Sequence, residues 1–205
     1  MSHPRQKSPF EFTGGHLCLN FTNTVNDRTS GHPKELLNSY DALLLWGSEA
    51  GMLQAKMADK LRTLAKHSPG RAQSTVREAT RLRDALYDIF NAVVEEHKVP
   101  EASLEFLNQA LQRASEHARL VHEPRRFSWQ WVDPEENLDS ILWPVARSAG
   151  DLLTSDELLL VGQCAASDCG WLFLDTTKNH RRRWCDMRTC GNRDKARRYY
   201  QRARH

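Results

Sequence analysis

The stretch RRRWCDMRTCGNRDKARRYY, Arg181 to Tyr200, sets Cys185 and Cys190 inside one of the most basic runs of the chain. A second pair, Cys164 and Cys169, stands before it with the same four-residue interval, and 15 residues separate the two pairs. Two knuckles in tandem let four thiolates converge tetrahedrally on one Zn²⁺, for which a closed sulfur shell is a standard structural site. Unrelated buried thiols fit less well, because so polar a segment offers little core, and disulfide or redox chemistry lacks a CxxC motif. Four cysteines leave no open position for water, so the expected ion, one Zn²⁺ per chain, is structural. A segment this small gains little from hydrophobic burial, whereas zinc coordination supplies roughly 10 to 16 kcal/mol in finger peptides.

Between the knuckles, GWLFLDTTKNHRRRW predicts a strand from Trp171 to Leu174, a turn, and a return that brings the second knuckle beside the first. After Cys190 a helix is expected from Asn192. Ala196, Tyr199 or Tyr200, and Ala203 recur at three to four residues and would pack on the knuckle, while Arg193, Lys195, Arg197, Arg198, Arg202 and Arg204 spread over the remaining circumference. Residues 178–205 hold eleven Lys or Arg against two Asp, yet the 205-residue chain carries a formal charge of only +3, so the remainder is mildly acidic.

A cationic end on an acidic body is the asymmetry of a protein that meets a polyanion. On that reading Lys178, Arg181, Arg182, Arg183, Arg188, Lys195, Arg197, Arg198 and Arg202 neutralise phosphates, and Asn192 and Arg193, at the start of the helix, are placed to read base edges. The plainer alternative is a solvated helix docked on the acidic body. RNA is a further candidate, with Tyr199, Tyr200 or Trp184 stacking on unpaired bases.

Upstream the pattern is helical. The Gly14-Gly15 turn precedes LCLNFTNTVNDR, where Leu17, Phe21 and Val25 favour helix over strand. Ser39 caps a second helix to Leu53; Val76, Ala79, Leu82, Leu86, Ile89, Phe90 and Val93 mark a long one over 74–97; Leu104, Leu107, Leu111 and Ala114 mark another over 102–119. Phe127, Trp129 and Trp131 alternate in a short strand or hairpin arm. A helix over 138–153, interrupted early by Pro144, and a brief turn at 154–158 complete the body. The fold class is therefore mainly α: a helical domain with a short β element over residues 1–160, and a small four-cysteine zinc finger, β-hairpin and helix, over 161–205.

The segment CGWLFLDTTKNHRRRWCDMRTCGNRDKARRYYQR, Cys169 to Arg202, resembles the CGNR zinc-finger family, named for the tetrapeptide Cys190-Gly191-Asn192-Arg193. The opening GGHLCLNFTNTVNDR resembles the start of the ABATE domain that precedes that finger in bacterial proteins, with Asn20 where the family commonly has Asp. The resemblance implies a transcription regulator with an N-terminal sensor of a stress-related ligand and a C-terminal DNA-binding finger. Asn20, Asn23, Thr24 and Arg28 are the candidate ligand residues, since on a helix Asn20, Thr24 and Arg28 share a face; capping and hydrogen bonding to neighbouring helices is the plainer role for them. Arg81, Arg83, Trp129 and Trp131 are further pocket candidates.

No triad, P-loop or GxGxxG motif asks for catalysis, so the expected function is a DNA-binding regulator and not an enzyme. The competing reading makes the N-terminal domain an enzyme that uses the His16 and Cys18 pair, with the finger as a docking module. Cys18, bracketed by Leu17 and Leu19, reads first as a core residue. No apolar run is long enough to span a membrane and the start MSHPRQKSPFEF lacks a signal-peptide core, so the expectation is a cytoplasmic protein without membrane contact. One finger covers few base pairs, which points to a homodimer or a second contact. The expected partners are DNA and an unidentified small-molecule effector.

Overall fold

After the Gly14-Gly15 turn, α1 (Leu17–Thr22) runs for six residues and buries Cys18, Leu19 and Phe21 completely. The hydroxyls of Thr22 and Thr24 donate to the carbonyls of Leu19 and Phe21, each at 2.8 Å, which draws these carbonyls into local turns. The chain leaves the helix there and enters β1 (Val25–Asn26), paired antiparallel with β2 (Lys34–Glu35). The helical face expected to unite Asn20, Thr24 and Arg28 therefore does not form.

In this computed structural model, which describes residues 8–202, the remaining body follows the apolar periodicities closely. The Ser39 hydroxyl accepts from the Ala42 amide at 3.1 Å and starts α2 (Tyr40–Glu49), whose Leu43, Leu44 and Trp46 are buried. The next helix, α3 (Ala55–His67), was not expected; it buries Ala58 and Leu61 and packs Met57, Leu64 and Ala65 against the core at steps of three and four. The long helix α4 (Pro69–Val94) begins five residues before Ser74, with Pro69 in the first turn where a missing N–H costs nothing. α5 (Glu101–Glu116) stops before Arg119, because the chain turns into β3 (Ala118–Glu123), which pairs antiparallel with β4 (Arg126–Trp131). A single 3-10 turn over Leu138–Ile141 leads into α6 (Leu142–Leu153), with Pro144 again in a first turn. The α6 side chains Val145, Ala146, Ala149 and Leu152 join α1, α2 and α4 in one hydrophobic core.

The C-terminal strands tie the finger to this core. β5 (Val161–Gln163) pairs antiparallel with β6 (Leu172–Leu174) in the register Val161↔Leu174 and Gln163↔Leu172. The hairpin thus closes over the first knuckle, and the return strand expected before Cys185 is absent among the described residues. Strand alternation then divides the side chains: Leu172 and Leu174 enter the helical core, while Trp171 and Phe173 pack with the four clustered cysteines. A π turn over Met187–Gly191 leads into α7 (Asn192–Arg202). Ala203 and Arg204, with the side chain of Arg202, lie outside the described residues. Composition changes near residue 160, but the hydrophobic core runs across that point.

Candidate zinc centre and nucleic-acid interface

Cys164, Cys169, Cys185 and Cys190 are all buried, and their sulfur atoms lie within 4.8 Å of one another. Cys185 Sγ is 3.6 Å from Cys169 Sγ and 3.5 Å from Cys190 Sγ. A tetrahedral zinc–thiolate shell with Zn–S bonds of about 2.3 Å has edges of roughly 3.8 Å, so the quartet matches that shell and is far too open for disulfides. Hydrogen bonds from Cys169, Cys185 and Cys190 pull the Cys164 thiol down, and the same hydrogen bonds to Cys164, with burial, push Cys169 and Cys185 up. Unaided, four crowded thiols cannot all ionise; a divalent cation lets them, since coordination deprotonates thiols outright. These four residues form the ligand set of one structural zinc, which supplies a rigid crosslink between the two knuckles.

Two glycines shape the cage. Gly170, at φ +68°, has Thr29 Cγ2 2.7 Å from where a Cβ would stand, so the first knuckle presses directly on the body. Gly191, in the π turn, leaves room for Met187 Sδ, 2.5 Å from its would-be Cβ.

The body holds the finger through polar bolts. The Asn23 side chain pairs with the Leu172 backbone like a strand: Nδ2 donates to the carbonyl at 2.8 Å and Oδ1 accepts from the amide at 2.9 Å. Trp171 Nε1 donates to the Val25 carbonyl at 2.7 Å, and Thr29 Oγ1 donates to the Ser167 carbonyl at 3.0 Å. Gln163 Nε2 reaches both Tyr87 Oη and Asn91 Oδ1 on α4.

The four residues expected to line a ligand pocket are thus spent on structure. Asn20 Oδ1 accepts from the Gly14 amide at 2.8 Å, Asn23 and Thr24 are buried and bonded as described, and Arg28 donates to Asp84 and the Thr22 carbonyl with its guanidinium 4.1 Å from the Tyr87 ring. Burial, with Arg83 nearby, lowers the Arg28 pKa. Arg83 itself is 4% exposed and grips Glu35 with Nη1 at 2.6 and 2.8 Å. Arg81 lies over Phe106, and Trp129 under Arg147.

Among the basic residues the structure separates bolts from free charges. Arg182, expected on phosphate, is a bolt: it donates to the carbonyls of Trp184, Leu174, Thr13 and Cys185, lies over the Phe173 ring at 4.3 Å, and its amide donates to Asp175. Arg193, expected on bases, donates to Cys190 Sγ at 3.4 Å and pairs with Asp168 at 3.0 Å. Arg197 pairs with the other Asp168 oxygen at 2.7 Å and with Ser167, and Arg198 pairs with Asp194. Asn192 is exposed, with Nδ2 donating to the Arg188 carbonyl at 3.2 Å. Lys178, Arg181, Arg183, Arg188 and Lys195 lie at the surface and have no carboxylate partner among the described residues. Tyr199 and Tyr200 are 71% and 67% exposed and do not pack on the knuckle, because α7 is moored by its arginines instead.

Arg181 and Arg183 rim a groove of about 580 Å³ lined also by Trp184, Met187, Asn179 and Thr13. Thr13 Oγ1 and Trp184 Nε1 have no hydrogen-bond partner among the described residues. A second cavity, of about 290 Å³, opens on the cysteines themselves: Cys169, Cys185 and Cys190 line it beside Glu11, Asn26, Asp27, Thr189 and Arg193, so the zinc site forms part of it. Neither Thr13 nor Asp168 stood out in the sequence; Asp168 stands beside Cys169 in a stretch without cations, and its partners Arg193 and Arg197 lie 25 and 29 positions on.

Taken together, the features define a zinc-finger protein whose finger shares its core with a helical domain. Residues 15–156 match the ABATE family, described as a "putative stress-induced transcription regulator", and residues 161–203 match the CGNR zinc finger. The chain belongs to the ABATE family and ends in a CGNR finger, as the sequence resemblance implied. No curated protein matches it. No helix is long and apolar enough to cross a membrane among the described residues.

Proposed function

We propose that the protein is a DNA-binding transcription regulator that works in the cytoplasm, with the zinc finger as its contact. The observation that carries this reading is a set of exposed cations, Lys178, Arg181, Arg183, Arg188 and Lys195, on a finger whose backbone is held by the cysteine quartet and by Arg182. A rigid cationic edge releases counterions without the ordering cost of a free tail. Asn192, exposed at the start of α7, remains the candidate for base reading, while Arg193 serves chiefly as a mooring of the helix.

The helical domain is the sensing half of this proposal. Catalysis has no part in the reading. Cys18 is fully buried, and burial pushes its thiol up to about 12, which leaves almost no nucleophilic thiolate at neutral pH. His16 Nδ1, just before α1, lies 3.3 Å from the Cys18 sulfur and 3.0 Å from Ser148 Oγ of α6, which also accepts from the Cys18 amide at 3.0 Å.

The test compares the zinc-loaded wild type with Arg181→Glu/Arg183→Glu/Arg188→Glu on random duplex DNA by fluorescence anisotropy. The expected result is a loss of at least about a hundredfold in affinity at about 50 mM salt, with zinc content unchanged. Equal affinity in both proteins would remove the cationic edge as the contact. A preference for single-stranded RNA over duplex DNA, abolished by Tyr199→Ala/Tyr200→Ala, would transfer the same edge to RNA.

A further inference from the structure

The β3–β4 hairpin takes no part in the zinc site. Its register, Leu120↔Trp129 and His122↔Phe127, puts these four side chains on one face, with Leu120 and Trp129 53% exposed and Phe127 66% exposed. An apolar patch on the order of 300 Å² results, comparable to the largest patch on a typical monomer. Only its base is covered: Trp131 lies 5.9 Å from Trp143, and the Arg147 guanidinium sits 4.2 Å over Trp129. A two-stranded ribbon is marginal by itself, and both outer edges here are unpaired among the described residues.

The edge of β3 has a specific polarity. The Val132 amide donates to the His117 carbonyl at 2.8 Å, which extends the ladder and fixes its phase. Residues 117, 119, 121 and 123 therefore turn their backbone groups toward β4, and Ala118, Leu120 and His122 turn theirs outward. Let a second copy of β3 approach antiparallel about a two-fold axis at Val121. Leu120 of each protomer then forms hydrogen-bonded pairs with His122 of its partner, and Arg119 faces Glu123 across the non-hydrogen-bonded positions.

That register is distinguished by charge. Centring the axis on Leu120 sets Arg119 against Val121 and loses the ion pair. Pairing β4 with β4 about Ser128 sets Arg126 against Gln130, again without opposite charges. Charged residues on a free edge usually discourage pairing, but Arg119 and Glu123, of opposite sign and four residues apart on one strand, make this edge complementary to itself. Glu123 already accepts from Arg126 and Ser128 at 2.7 Å each, one per oxygen, and its second lone pairs remain for a further donor.

We propose that β3 is a homodimerisation edge: two chains join β3 to β3 about Val121, giving a four-stranded sheet with a continuous face of Leu120, His122, Phe127 and Trp129. An interface built on six-residue strands lies at the low end of the usual size range, so the dimer forms with a dissociation constant on the order of micromolar. The proposal is independent of what the finger binds.

The test uses the zinc-loaded full chain without nucleic acid. At a two-fold centre the Val121 Cα atoms stand about 4.5 Å apart, within disulfide range. Val121→Cys should therefore yield a disulfide-linked dimer under mild oxidation, whereas Arg119→Cys, far from its own copy, should not. By sedimentation, Arg119→Glu should weaken the dimer by about tenfold or more, and Arg119→Glu/Glu123→Arg should restore it. Circular dichroism and zinc content check that each variant is folded. A Val121→Cys chain that stays monomeric, a dimer indifferent to Arg119→Glu, or a wild type that is monomeric at about 100 µM would each overturn the proposal.

Discussion

Replacing Asn23 with Leu should uncouple the finger from the body. The side chain is 3% exposed and satisfies both the N–H and the C=O of Leu172, which is itself fully buried. Leucine keeps the approximate volume and removes both partners, leaving two buried backbone groups unpaired at about 1–3 kcal/mol each. The expected loss is therefore roughly 2–6 kcal/mol, a large part of the roughly 5–15 kcal/mol typical of a whole domain. For a chain of this length about 1 kcal/mol moves the melting temperature by roughly 2–4 °C, so the midpoint should fall by about 4 °C at the least. Melting followed by circular dichroism, beside zinc release to a chromogenic chelator, measures both ends of the bolt. Release should quicken along with the fall in midpoint, because Leu172 sits between Trp171 and Phe173, which pack on the cysteines. A midpoint shift under about 1 °C, or unchanged zinc release, would refute the inference that body and finger share one stabilising network.

Arg182→Ala should lower the melting temperature and speed zinc loss while leaving the salt dependence of DNA binding by the folded fraction unchanged; Arg183→Ala should do the reverse, reducing the salt slope by about one. With zinc bound, a thiol reagent should find none of the five cysteines reactive. After chelation Cys164, Cys169, Cys185 and Cys190 should react quickly, and Cys18 only on unfolding. Because the Cys18 thiol is raised from 9.0 to about 12, the unfolded chain gives up this proton first, so stability should fall as pH climbs above about 9. Burial pushes the Asp168 carboxyl up, but its hydrogen bond to Arg197 and the charges of Arg193 and Arg197 outweigh this and hold it below the usual carboxylate range. Its mooring of α7 should thus be fully present above about pH 4 and lost as pH falls further, a transition that amide exchange in α7 would report.

Cysteine spacing was enough to read the zinc centre, because metal ligation is a local constraint that two knuckles announce. The long helices were legible for a similar reason: α4 repeats its apolar residues along its whole length, and Ser39 caps α2 as its position suggests. What escaped depended on distant partners. Leu172 and Leu174 alternate with Trp171 and Phe173, a pattern visible in the sequence, yet nothing local says that one face belongs to a helical core built largely from residues far upstream. Arg182 and Arg183 are adjacent and identical in type; only the carbonyls of Thr13, Leu174, Trp184 and Cys185 make one a bolt and the other a free charge. For Asn23 the plainer structural role holds, but its partner, the Leu172 backbone 149 positions away, was not legible. α3 was missed although Met57, Ala58, Leu61, Leu64 and Ala65 recur at steps of three and four, a stripe the sequence carries.

The central claim, that zinc organises a cationic edge for DNA, is tested most directly by one salt titration. The zinc-loaded chain and the same chain after chelation are compared on a random duplex between about 50 and 200 mM salt. Five free cations predict a slope of log K against log salt of about −4.5 for the zinc form, at about 0.9 per phosphate contacted, and loss of binding without zinc. Zinc-loaded protein that fails to bind at the lowest salt, or that binds equally well once the metal is removed, would contradict it.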